Sequence, residues 1–307
     1  MKLLLSRPRG FCAGVVRAID VVERALDKWG APIYVKHEIV HNKHVVERLH
    51  DKGAIFIEDL KEVPEGSRII YSAHGVPPSV RREASLRGLI EIDATCILVN
   101  KCHEAVKKYA KQGYKVVVIG HKKHVEVIGT AGEAPDDTFV VDSAEDVLKL
   151  PFGDSEKVFC LSQTTLSFYD VKVILDVLKE RFDNLETLPS SSICYATTNR
   201  QKALTQITKD VEIVFVVGDS RSSNSNRLWE IAKKNCIKAY LINDASEIDY
   251  NWLEGVSSIG LTAGASTPEY IVQGVIAALQ KFGVDRVEDV IYTEENVTFP
   301  LPKELEG

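Results

Sequence analysis

Cys12, Cys96 and Cys194 each stand where an apolar stretch gives way to a helical one, once in each third of the 307-residue chain. The segments are LLLSRPRGFCAGVVRAIDVVERAL, LIEIDATCILVNKCHEAVKKYA and SSSICYATTNRQKALTQI. Gaps of 84 and 98 residues separate the three, each the length of a small α/β unit. A thiol at the head of a helix meets partial positive charge and free N–H groups, which favour the thiolate. Three thiolates from three similar units would suit one soft metal centre with a coordination position left open for chemistry. Cys102, Cys160 and Cys236 share no such position, falling inside a helix, in an apolar strand and after a helix; they read as small buried hydrophobes. Zinc usually takes paired ligands from tight turns, and the chain has no Cys-x-x-Cys. The Cys-x-x-x-Cys-x-x-Cys signature of radical enzymes that use S-adenosylmethionine is absent too.

Other polar residues collect at strand ends. His41, His74 and His124 fall in such loops, and Glu126 lies two residues past His124. A carboxylate in a partly buried, metal-adjacent pocket could deliver protons. The cluster SSNSN, Ser222 to Asn226, offers hydroxyls and amides; a helix N-cap before RLWEIAKK accounts for one or two of the five. The rest, with Thr164, Thr165, Ser266 and the histidines, read as a donor-rich pocket for a phosphate or diphosphate. No Walker-type loop or GxGxxG opens a βα unit, which argues against nucleotide binding by those routes.

The elements that must position these residues recur three times. After each cysteine helix an apolar strand ends in polar residues: IYVKHEIVHN, YKVVVIGHKKHVE and VEIVFVVGDSRSSNSN. His41 lies 29 residues after Cys12, and His124 and Ser222 each lie 28 after Cys96 and Cys194. A second strand ends on an acid or amide, in AIFIED, TFVVDS and AYLIND. A third runs into RIIYSAHGVPP, KVFCLSQTTLS or SSIGLTAGASTP, which places His74, Thr164 and Ser266 at offsets of 62, 68 and 72. One departure is visible: the first and third repeats allow a helix after the first polar loop, whereas the second has VIGTAGEAPDD there. The pattern predicts an α/β fold of three βαβ-type units with mainly parallel sheets, packed pseudo-threefold around one central site. The units are expected at residues 1–95, 96–193 and 194–282, with a tail, 283–307, docking on another unit.

Composition sets bounds. The chain is 45% hydrophobic and 27% charged, as globular proteins are, and long enough for two or three domains. Its N-terminal apolar run is too short for a secretory signal and no membrane span is evident, so a reducing cytoplasm is expected, where thiols serve as ligands more than as disulfides. A net charge of −6, with Lys and Arg scattered over helices, argues against nucleic acid as a partner.

Nine motifs, in order, resemble one family: PRGFCAGV, EIVHN, SAHGV, DATC, HVEVIGT, SQTTLS, ICYATTNRQ, SSNSNRL and TAGAS. The family is that of the 4-hydroxy-3-methylbut-2-enyl diphosphate reductases, and the resemblance covers nearly the whole chain. It implies an oxygen-sensitive [4Fe–4S] cluster on Cys12, Cys96 and Cys194, with one iron free for the substrate's hydroxyl. It further implies that His41, His74, His124, Thr164, Ser222, Ser223, Asn224 and Ser266 hold or line the diphosphate, and that Glu126 is the proton source. Two electrons would come from an external donor such as ferredoxin or flavodoxin, since no flavin or nicotinamide motif is present. The products implied are isopentenyl and dimethylallyl diphosphate. Two other readings stay open on the residues alone: a [4Fe–4S] hydro-lyase, which needs no net electrons, and a cluster-based redox sensor.

Overall fold

The computed structural model describes residues 1–188, 192–235 and 238–305; Cys236 lies outside them. Thirteen strands and ten α-helices alternate along these residues. The strands form three sheets, and every pairing in them is parallel.

The first sheet holds β2 (Ile33–Lys36), β3 (Ala54–Ile57), β4 (Arg68–Tyr71) and β5 (Ile90–Asp93), in the order β3-β2-β4-β5. The second holds β6 (Lys115–Ile119), β7 (Thr138–Val141), β8 (Lys157–Ser162) and β9 (Asn184–Thr187), in the order β7-β6-β8-β9. The third runs β11-β10-β12-β1-β13, from β10 (Ile213–Val217), β11 (Lys238–Ile242), β12 (Ser258–Ala263), β1 (Lys2–Arg7) and β13 (Arg286–Ile291). One strand order thus recurs three times. The strand before each cysteine closes the sheet of the preceding repeat, so β1, which precedes Cys12, joins β10–β12. The tail supplies β13, paired with β1 over Lys2–Arg7.

Two compact units divide the chain. One comprises Met1–Val15, His41–Val45 and Tyr195–Thr298 and contains the third sheet; the other comprises Val16–Val40, Val46–Cys194 and Phe299–Gly307 and contains the first two. In the third sheet, Leu3, Leu5, Phe215 and Val217 pack with Val272, Val275 and Leu279 of α10 (Glu269–Phe282). The alternate residues Leu4, Val214 and Val216 pack with Leu204 of α8 (Tyr195–Ile207) and Leu228 of α9 (Ser223–Asn235). Burial on both faces explains the unbroken apolar run IVFVV of β10. The second sheet repeats the plan. Val117 and Ile119 face Ile174 and Leu178 of α7 (Phe168–Arg181), and Val116 and Val118 face Val106 of α4 (Ile97–Lys111).

Two local expectations are corrected. VIGTAGEAPDD does not interrupt the second repeat, because α5 (Val125–Ala131) forms there. Gly129 is unfavourable for helix by propensity, yet it lies inside α5, buried, where a Cβ would meet Gly75 and His103 at an ordinary contact distance of 3.4 Å. The other correction concerns α9, which starts at Ser223, not after SSNSN: Ser222 caps it, accepting the Ser225 N–H at 3.3 Å.

Candidate active site

Each candidate cysteine stands immediately before a helix: Cys12 before α1 (Ala13–Trp29), Cys96 as N-cap of α4, and Cys194 before α8. All three are partly exposed. Their backbones are held alike. The Cys12 N–H donates to Ala265 O at 3.2 Å, Cys96 to Ala73 O at 2.9 Å and Cys194 to Thr164 O at 2.9 Å. The acceptors lie in the third-strand loops that carry Ser266, His74 and Thr164. A cysteine is therefore seated beside a candidate substrate-binding residue in each repeat, by the same bond.

Cys102 and Cys160 differ. Burial pushes both thiols up to about 12, so they stay protonated and inert at neutral pH. Glu126 and the two cysteines Cys96 and Cys194 add to the shift at Cys102, which puts these three within electrostatic reach of one buried thiol.

Two arginines that the sequence reading missed fix the cysteine loops. Arg200, 1% exposed, donates to Gly10 O from Nε (3.0 Å) and Nη2 (2.8 Å), to Phe11 O (3.1 Å) and to Ala196 O (2.9 Å). Glu295 balances its charge at 3.1 Å. The two carbonyls it clamps directly precede Cys12. Gly10 takes φ +67° there, and a Cβ would sit 3.2 Å from Thr267 O, so glycine suits this turn. Arg17 does the same before Cys96, donating to Thr95 O (3.0 Å), Asp93 O (3.3 Å) and Pro300 O (2.6 Å). Only their positions, five and six residues after Cys12 and Cys194, could have hinted at this.

In the unit with the first two sheets, Glu126 is buried and faces Thr164 twice. Its Oε1 accepts the Thr164 N–H at 2.7 Å and its Oε2 the Thr164 hydroxyl at 3.0 Å. The Glu126 N–H donates to His124 Nδ1 at 3.2 Å. With Nδ1 accepting, the ring hydrogen sits on Nε2, which makes His124 a donor there. His74 lies edge-on to His124 with centroids 6.0 Å apart, its Nδ1 3.1 Å from Ser72 Oγ. Gln163, not foreseen, is buried, accepts the His121 N–H at 3.1 Å and donates to Thr165 Oγ1 at 2.9 Å.

In the unit with the third sheet, α9 begins the donor cluster. Asn224 is buried, and its Oδ1 accepts the Ala265 N–H at 2.8 Å. Its Nδ2 has no acceptor, a free buried donor of the kind an oxyanion would satisfy. Ser225 Oγ lies 2.3 and 2.1 Å from where a Cβ on Gly218 or Gly264 would be, so those glycines let α9 approach β10 and β12. The Ser266 hydroxyl is already donated to His41 O at 2.9 Å, joining two candidate loops. Asp219 accepts from Lys43 N–H at 3.1 Å and from Arg221 N–H at 2.9 Å, tying the His41 loop to the one before α9.

Parallel sheets whose strand-end loops carry thiols, imidazoles and a buried carboxylate are the architecture of α/β enzymes, which bind ligands at the carboxyl ends of their strands. Comparison makes the class specific. Residues 3–280 match the family model described as LytB protein. A 4-hydroxy-3-methylbut-2-enyl diphosphate reductase of Protochlamydia amoebophila is 62% identical over 305 residues, covering 99% of this chain and 97% of the relative. The enzyme of the same name from Chlamydia trachomatis serovar A is 57% identical, covering 99% of each. The solved E-1-hydroxy-2-methyl-but-2-enyl-4-diphosphate reductase of Plasmodium falciparum superposes with a TM-score of 0.96 at 46% identity, over 99% of this chain and 96% of that one. The chain belongs to the LytB protein family and is a reductase. No helix among the described residues is long and apolar enough to cross a membrane.

Proposed function

We propose that this chain reduces (E)-4-hydroxy-3-methylbut-2-enyl diphosphate to isopentenyl and dimethylallyl diphosphate, using two electrons from an external donor and a [4Fe–4S] cluster on Cys12, Cys96 and Cys194. The observation that carries the reading is the buried Glu126–Thr164 pair, in the same unit as Cys96, Cys194, His74 and His124. The relatives' names supply the substrate class. The donor set suits an iron–sulfur cluster: three partly exposed thiols at helix heads, against two buried ones held protonated. When bound, the cluster would supply electrons and a Lewis-acidic iron for the substrate's hydroxyl oxygen.

The chain's own groups do the rest. His41, His74, His124, Ser222, Ser223 and Asn224 hold the diphosphate, with Ser266 and Thr164 lining it, so the alcohol end is fixed for reaction. Asn224 Nδ2 is a buried donor left over after local bonds, as an anion requires. Glu126 delivers a proton through the Thr164 hydroxyl, which lies 3.0 Å away, and the alcohol oxygen leaves as water. The hydroxyl gives its hydrogen to the substrate and takes another from Glu126. Protonation of the remaining allylic fragment at either end gives the two products.

Anaerobic purification with iron, sulfide and turnover measurements tests the proposal. Serine at Cys12, Cys96 or Cys194 is expected to abolish turnover and deplete iron, while Cys102→Ser and Cys160→Ser retain both. Turnover without any reductant would favour a hydro-lyase, and a Cys102→Ser protein that alone lost its iron would overturn the ligand set.

A further inference from the structure

His37 is a side chain where the repeat calls for none. It follows β2, and its N–H donates to Ile57 O at 2.9 Å. The matching bonds in the other repeats are Gly120 N–H to Val141 O at 2.9 Å and Gly218 N–H to Ile242 O at 2.8 Å. A Cβ at Gly120 would lie 2.7 Å from Val127, and at Gly218 only 2.3 Å from Ser225. The first repeat instead places an imidazole at this strand end, with the backbone at φ +62°, the one positive value at a non-glycine among the described residues. A left-handed histidine is strained relative to glycine, and such strain persists where the side chain is needed.

The side chain is also built in. Its Nδ1 donates to Glu58 Oε1 at 2.7 Å, and Glu58 comes from the loop after β3. A carboxylate on one ring nitrogen fixes the tautomer and the ring plane. The ring stands edge-on to His74 with centroids 5.8 Å apart, and His74 stands likewise to His124 at 6.0 Å. Three imidazoles form a row.

We propose that His37, set by Glu58, is a further substrate-binding residue, the outer member of a row His37–His74–His124 that holds the diphosphate. The inference rests on the proposed role of His74 and His124, and its test separates the two. The holoenzyme is assayed with the allylic diphosphate, and inorganic pyrophosphate serves as competitive inhibitor, in His37→Gly, His37→Asn and His74→Ala. Glycine and asparagine both tolerate the left-handed backbone, and glycine relieves the strain, so both variants should melt at or above the parent temperature. Loss of one hydrogen bond to a charged group should raise KM and the pyrophosphate inhibition constant about tenfold or more, with kcat changed about twofold at most. Glu58→Gln should give a smaller loss of the same kind. Unchanged pyrophosphate inhibition in His37→Gly beside a clear loss in His74→Ala would overturn the role of His37 alone. Unchanged inhibition in both would overturn the parent reading as well.

Discussion

The role proposed for Glu126, bonded twice to Thr164, predicts a variant in which binding and chemistry come apart. Glu126→Gln can keep both contacts, its amide oxygen taking the Thr164 N–H and its NH2 donating to the hydroxyl, which turns round. The variant should therefore fold, hold iron and bind substrate. It has no proton to give, and losing a general acid costs about 10²–10⁴-fold in rate. Steady-state turnover with iron content measured in parallel checks this, and near-normal turnover would end the proton-donor role.

At the scale of elements, loops are held by charges arriving from distant helices. Replacing Arg200 by Met strands three carbonyls and the Glu295 carboxylate, so a loss of about 3–5 kcal/mol is expected in urea unfolding of the cluster-free protein. Arg17→Met should cost less, about 1–3 kcal/mol, since its partners are backbone carbonyls. Iodoacetamide should then modify Cys12 faster in the first variant and Cys96 faster in the second, and equal rates at both cysteines in both variants would refute the assignment of each arginine to its loop. The His41 loop has its own tether. Asp244 takes hydrogen bonds from the Ser246 hydroxyl and N–H and faces Lys43, which together hold its carboxyl down to about 2, and His44 Nε2 lies 3.0 Å away. A carboxyl depressed on folding stabilises fully above its unfolded value, near 4, and stops doing so as pH falls through about 2. The gap in urea midpoint between wild type and Asp244→Asn should thus shrink as pH falls from about 4 toward about 2. A gap that widened in acid would contradict this.

At the scale of the whole molecule, the tail completes each unit by itself. Glu295 balances Arg200 in one unit, and Pro300 O accepts from Arg17 in the other. A chain ending at Ile291 keeps β13 beside β1 but leaves Arg200 buried without its carboxylate. Its melting temperature should fall by about 5–10 °C. An unchanged melt would mean the tail is ornamental.

The local sequence was enough to mark strand, loop and helix around Cys12, Cys96 and Cys194, because apolar runs and helix starts are short-range signals that repeat at similar spacing. It also marked the loops of His74, Thr164 and Ser266, each of which proves to be bonded to a cysteine backbone or directly beside a residue that is. Tertiary structure alone decided that β1 closes the sheet of β10–β12, since strand pairing across more than 200 residues leaves no trace in local periodicity. It alone placed Arg200 on the Cys12 loop, 190 residues distant, because a buried arginine and a solvated one look the same in a sequence. The same holds for His37, whose strain is a property of its backbone angle, and for α5, which forms with Gly129 buried inside it despite that residue's poor helix propensity. Local chemistry marked the candidate groups, and long-range packing determined what holds them in place.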